Sequence, residues 1–170
     1  MRIILVGFMG AGKTSIGKRL AKTMGLSFYD LDSEIESKYK TTINSIFEKF
    51  GEYCFRQLET ETLKSFGGKD DFVLSCGGGT PCFNNNMDYI KNLGISVYIK
   101  LPAKALVNRI ANSHKKRPLT SSKSESELEE YIEKALGERE NYYSQAAITV
   151  SGVDFDKSEA VSKIMSCLPK

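Results

Sequence analysis

The chain has 170 residues, 41% hydrophobic and 26% charged, the composition of a single soluble globular domain able to bury its own core. Its 24 Lys and Arg against 21 Asp and Glu leave a net charge of +3, too small a surplus for a nucleic-acid partner, so any anion site must come from local arrangement. Cys54, Cys76, Cys82 and Cys167 contain no Cys-x-x-Cys pair and stand with one histidine, His114, which excludes a zinc cluster and suits thiols in a reducing cytosol.

Ile3-Ile4-Leu5-Val6 is a short apolar run ending in Gly7. It reads as a buried central strand and is far too short for a signal peptide or a membrane span; nothing later is long enough, so a cytoplasmic protein is expected. Ile16, Leu20, Ala21 and Met24 recur at helical spacing and Gly25 ends that helix. Ser27-Phe28-Tyr29 is a second strand that delivers Asp30 and Asp32 at its end. Ile43, Ile46, Phe47 and Phe50 mark a helix closed by Gly51, and Phe55, Leu58, Leu63 and Phe66 mark the next. Phe72 to Cys76 is a third strand running into Gly77-Gly78-Gly79, followed by a helix over Asn84 to Leu93 and a fourth strand over Ile95 to Leu101. Pro102 suits the first turn of a helix reaching Asn112. The Ser, Lys and Pro content of Ser113 to Ser126 predicts a mobile loop. Leu128, Ile132, Ala135 and Tyr143 trace a long helix, Ala147 to Val150 a fifth strand, and Val161, Ile164, Met165 and Leu168 a last helix. Strands alternating with helices imply an α/β sandwich around a parallel sheet, with no repeat and no linker.

Gly7-Phe8-Met9-Gly10-Ala11-Gly12-Lys13-Thr14 matches G-x-x-x-x-G-K-[ST] in full, after a strand and at the start of a helix. Glycines let successive backbone N–H groups converge on phosphate oxygens, and the helix N-terminus adds its positive dipole end. Lys13 reaches the β- and γ-phosphates, and the Thr14 hydroxyl can ligate Mg²⁺. A glycine-rich turn by chance would lack this context. The motif predicts nucleotide binding without naming the reaction.

A GTPase would carry an Asn-Lys-x-Asp element, which is absent, and an ATPase would follow a hydrophobic strand with a magnesium-holding Asp, where this chain has three glycines. The carboxylates left for metal and substrate are Asp30 and Asp32, at the carboxyl end of the sheet where such folds bind ligands. One can serve the Mg²⁺ shell and the other accept a proton from an attacking hydroxyl; alternatively, one of them caps a helix beginning near Ser33. Gly77-Gly78-Gly79 is either a permissive turn or a place where a ligand approaches the backbone closely. Arg56 follows Phe55 on a helix, as many solvated arginines do. Arg139 falls close to the stripe of Ile132, Ala135 and Tyr143, so an inward guanidinium there needs an anionic partner, from the substrate or from the protein. His114-Lys115-Lys116-Arg117-Pro118 is too short for a nucleic-acid patch; on a mobile loop it suits a lid over ATP, with Arg117 near the transferring phosphoryl group.

These pieces in this order resemble the shikimate kinase family over nearly the whole chain. They are the phosphate loop, Asp30-Leu31-Asp32, Gly51-Glu52, Phe55-Arg56, Glu59, Gly77-Gly78-Gly79, Arg117-Pro118-Leu119 and Arg139 ahead of Tyr142-Tyr143. The resemblance implies a single-domain P-loop kinase fold, a three-layer α/β/α sandwich with a five-stranded parallel sheet of order 2-3-1-4-5 and a lid at about 112–126. It also implies ATP-dependent phosphorylation of the shikimate 3-hydroxyl on the route to chorismate, with Mg²⁺ required. By the same resemblance Asp32, Lys13 and Arg117 are catalytic, Asp32 as proton acceptor. ATP meets Gly10, Ala11, Gly12, Lys13, Thr14, Ser15, Arg109 and Arg117, and Thr14 with Asp30 supports the metal. Phe55, Arg56, Gly77, Gly78, Gly79, Arg139 and Asp32 take the substrate, the two arginines gripping its carboxylate while Glu59 orients Arg56. The partners expected are ATP and shikimate, in a monomer that needs no nucleic acid, membrane or other protein. Thr120 departs from the family's usual leucine. A gluconate-type kinase and a noncatalytic nucleotide-binding regulator are the rival readings.

Overall fold

The computed structural model describes residues 1–112, 125–152 and 156–169. Five parallel strands are ordered β2-β3-β1-β4-β5: β1 (Arg2–Val6), β2 (Ser27–Asp30), β3 (Phe72–Ser75), β4 (Ile95–Lys100) and β5 (Ile148–Ser151). This is the expected order. Ile3 to Val6 are all fully buried because β1 is the middle strand, paired with β3 on one side and β4 on the other. A parallel sheet covered on both faces demands such an uninterrupted apolar strand.

The helices are α1 (Lys13–Met24), α2 (Leu31–Tyr39), α3 (Ile43–Ser65), α4 (Asn86–Leu93), α5 (Ala103–Ala111), α6 (Glu125–Tyr143) and α7 (Lys157–Cys167). α1 packs on α7 and against β2 and β3, α4 lies on β4, and α5 pairs with α6. The two helices expected on either side of Gly51 are the two arms of α3, which breaks where Gly51 takes φ 77° and ψ 174°. That angle lies in the region glycine favours. Other boundaries differ by a residue or a turn. Asn84 and Asn85 hold left-handed backbone (φ 51° and 56°), so α4 starts only at Asn86. α6 starts at Glu125, inside the stretch expected to be a loop. The rest of that loop, 113–124, with Arg117, Pro118, Leu119 and Thr120, lies outside the described residues. Among the described residues no helix is long and apolar enough to cross a membrane.

Register places the site. Asp30 pairs with Ser75, and Ser75 with Leu5, so β2, β3 and β1 end in one row. The phosphate loop, Asp32 and the glycine run all leave the sheet from that row, at its carboxyl edge.

Candidate active site

Gly10 (φ 81°) and Gly12 (φ 94°) take left-handed backbone as the phosphate loop turns into α1. A side chain on Gly7 is blocked as well: its Cβ would sit 2.6 Å from the Ile99 carbonyl oxygen. The curl therefore depends on these glycines, and it leaves the first N–H groups of α1 facing the cleft. Lys13 is buried, and its Nζ donates to the carbonyls of Gly7 (2.6 Å) and Phe8 (2.9 Å). Ser15 Oγ donates back to the Gly12 carbonyl at 3.0 Å. Arg109, from α5, crosses to this loop, with Nη1 3.4 Å from the Ala11 carbonyl oxygen. A cleft of about 430 Å³ is bounded by this loop, Asp30, Asp32, Gly77, Gly78 and Arg109.

Asp30 has two jobs at once. Its Oδ1 accepts from the Ser33 N–H as the N-cap of α2, and its Oδ2 accepts from the Thr14 hydroxyl at 2.8 Å. Ser75 Oγ is 3.4 Å from the same hydroxyl. Of the alternatives the sequence leaves open, the structure shows Asp30 as the cap of α2, while its second oxygen is engaged by Thr14. Asp32 begins one residue inside α2 and points back to the cleft, with Oδ1 3.1 Å from where a Cβ on Gly77 would stand. Burial first, then the negative charges of Asp30, Glu59 and Glu36, lift its carboxyl from 3.8 to about 6, against the pull of Lys13.

The glycine run explains itself residue by residue. A Cβ on Gly77 would meet Glu59 and Asp32, one on Gly78 would stand 3.1 Å from the Met9 backbone nitrogen, and one on Gly79 would be 2.6 Å from the Arg56 guanidinium. The three positions thus face a carboxylate pair, the phosphate loop and an arginine in turn. Arg56 lies between the rings of Phe83 (4.1 Å from its Cζ) and Phe55 (5.1 Å), held by Glu59 at 2.8 Å and Glu52 at 3.0 Å. Arg139 approaches from α6, 5.4 Å from the Phe8 ring, and among the described residues no carboxylate pairs with it. Both guanidiniums act on Cys82, whose thiol is nonetheless pushed up to about 11 by burial and stays protonated at neutral pH. Phe55, Arg56, Gly79 and Arg139 are not part of the lining of the phosphate cleft; Arg56 stands against Gly79 and Phe55, and it shares Cys82 with Arg139.

Three contributors went unnoticed in the sequence. Tyr143 is buried and its hydroxyl donates to the Gly78 carbonyl; Phe83 stacks on Arg56; Thr80 donates to Glu59 at 2.5 Å. Tyr143 appeared only as a core residue and as a motif neighbour of Arg139.

The strand order, the loop-to-helix turn behind the central strand and the carboxylates facing it have the layout of a P-loop kinase. Comparison with known proteins narrows the class. The family model described as shikimate kinase matches residues 9–169. A shikimate kinase of Parabacteroides distasonis is 38% identical over 169 residues, covering 99% of this chain and 98% of that protein. The crystal structure of shikimate kinase from Bacteroides thetaiotaomicron has a TM-score of 0.94 at 32% identity, covering 98% of this chain and 97% of that one. Shikimate kinase from Acinetobacter baumannii in complex with shikimate has a TM-score of 0.89 at 36% identity, with coverage of 97% and 90%. The chain belongs to the shikimate kinase family.

Proposed function

We propose that the chain transfers the γ-phosphoryl group of ATP to the 3-hydroxyl of shikimate, giving ADP and shikimate 3-phosphate on the route to chorismate and aromatic amino acids. The observation that carries this reading is the glycine run, whose successive positions face Asp32, the phosphate loop and Arg56. A small acid with hydroxyls spans such a run, its carboxylate toward the arginines and its alcohol between Asp32 and the loop.

The loop backbone from Gly10 to Gly12, with Thr14 and Ser15, binds the nucleotide phosphates, and Lys13 offsets charge on the group in flight. Asp32 accepts the alcohol's proton; a carboxyl held near 6 is mostly ionised at neutral pH yet basic enough for the task. Arg56 and Arg139 grip the carboxylate, Phe55 packs beside Arg56, and the backbone of Gly77 to Gly79 lies against the substrate. Arg109 borders the nucleotide. Arg117, which lies outside the described residues, reaches ATP by the family resemblance, and the enzyme is a single-domain cytoplasmic monomer.

The residues present fit Mg²⁺. Thr14 and Asp30 meet at 2.8 Å, and among the described residues no three His, Cys, Asp or Glu side chains converge as a metal cage. Magnesium takes few protein ligands and fills its shell with water and phosphate oxygens. When bound there, it would neutralise phosphate charge.

ADP release with Mg-ATP and a panel of acceptors tests the reading. Shikimate is expected to support turnover, while gluconate and nucleoside monophosphates do not. Turnover with gluconate in place of shikimate would favour the rival kinase, and silence with every acceptor the noncatalytic regulator. Arg139→Lys tests the clamp: an ammonium cannot reproduce a two-pronged grip, so the shikimate KM should rise about tenfold while kcat holds. An unchanged KM would remove Arg139 from the clamp.

A further inference from the structure

We infer that Thr80 is a positioning residue for the acid substrate: its hydroxyl fixes the carboxylate of Glu59, and through that carboxylate the guanidinium of Arg56. The inference rests on the clamp reading of Arg56 given above.

Thr80 is fully buried and Glu59 is 1% exposed, so water cannot serve their polar atoms and each needs a protein partner. Thr80 Oγ1 donates to Glu59 Oε1 at 2.5 Å, while Glu59 Oε2 accepts from Arg56 Nη1 at 2.8 Å. Each carboxylate oxygen has its own donor, so the group is held at both ends. Glu52, one turn away, accepts from Arg56 Nε at 3.2 Å and Nη2 at 3.0 Å, but it is itself exposed and water competes for its carboxylate, whereas Glu59 is sealed from water. The buried Glu59 therefore sets where the guanidinium points.

Thr80 itself is anchored. It opens a 3₁₀ turn, Thr80–Cys82, with Pro81 next. Its carbonyl accepts from Asn86 Nδ2 at 3.0 Å, and the same amide donates to Thr60 Oγ1 at 3.1 Å, on the α3 residue after Glu59. Asn84 Nδ2 adds a bond to the Arg56 carbonyl at 3.2 Å. The end of the glycine run is thereby tied to the stretch of α3 that carries both Glu59 and Arg56. A residue that only filled space here would need no hydroxyl, and valine would serve as well.

Without that hydroxyl, Glu59 Oε1 is buried with no donor, the carboxylate turns to find one, and Arg56 follows it. Arg56 grips a part of the substrate remote from the reacting hydroxyl, so the loss falls on ground-state binding.

Steady-state kinetics of Thr80→Val, Thr80→Ser and Arg56→Lys test this. Thr80→Val is expected to raise the shikimate KM about tenfold. Its kcat and ATP KM should stay within about twofold of the parent. Thr80→Ser, which restores the donor, should bring the shikimate KM back to within about threefold. A parental KM in Thr80→Val, a Ser variant no better than the Val variant, or a parallel rise in the ATP KM overturns the inference. If Arg56→Lys raises the shikimate KM and Thr80→Val does not, Thr80 alone is excluded. If Arg56→Lys leaves it unchanged, the clamp reading fails and this inference fails with it. Should Thr80→Val not fold, the same comparison between Thr80→Ala and Thr80→Ser decides.

Discussion

Asp32→Asn is expected to yield a folded protein whose turnover is lower by about 10²–10⁴-fold, the usual effect of removing a proton acceptor. Asparagine keeps the shape of the side chain and one acceptor oxygen, so the substrate still finds its place, but the amide cannot take the proton of the attacking alcohol. Stability should move the other way. Burial and the nearby Asp30, Glu59 and Glu36 charges hold the Asp32 carboxyl at about 6 instead of 3.8. A raised carboxyl binds its proton more tightly folded than unfolded, so folding loses stability as the pH rises from 3.8 to about 6. Above that, the full deficit, at most about 3 kcal/mol, is present. The asparagine has no charge to bury. Its Tm should therefore exceed the parent's by several degrees at pH 8, with the gap closing toward pH 4. An inactive variant that is also less stable would point to a structural role for Asp32 instead.

Lys13→Met should cost about 10²–10³ in kcat, the range for losing one donor aimed at developing charge. Lys13 is buried at the first turn of α1 and already spans the loop, bonding the carbonyls of Gly7 and Phe8. Its ammonium thus ties the loop, and in the proposed reaction it also offsets phosphate charge. Methionine keeps most of the stem's volume but no charge, so nucleotide affinity should fall as well, read by calorimetry with ADP. A kcat within tenfold of the parent at saturating ATP would show that Lys13 shapes the loop without assisting transfer.

What was legible in the sequence was local. The phosphate loop declares itself because strand, glycines, lysine and helix start lie within a dozen consecutive positions. Gly51 was readable as a break because helical stripes flank it on both sides. α2 was harder: it buries only Leu31 and Ile35, one pair four residues apart, too little to show a period. Its presence surfaced only through the possibility of a cap near Ser33. The rest of the site is long-range. The Tyr143 hydroxyl meets the Gly78 carbonyl across 65 positions, and Thr80 meets Glu59 across 21. Neither contact leaves a trace in spacing, since partners so far apart along the chain create no local period. The dual bond of Asp30 was hidden for a different reason: sequence pattern assigns one role per residue, while a carboxylate has two oxygens to give. Spacing placed Arg139 near the inner face of α6; the ring of Phe8, the Cys82 thiol and the absence of a paired carboxylate among the described residues give that position its meaning.

The proposed reaction turns on a carboxylate at position 32, facing the phosphate loop, that takes the alcohol's proton. Its most direct test is kcat/KM for shikimate, at saturating Mg-ATP, followed from pH 5 to 8 in the parent and in Asp32→Asn. Taking the ratio of the two cancels every ionisation they share, nucleotide included. The ratio should be level above about pH 7 and fall about tenfold per pH unit once Asp32 gains its proton below about 6. A ratio that stays constant across the whole range would contradict it.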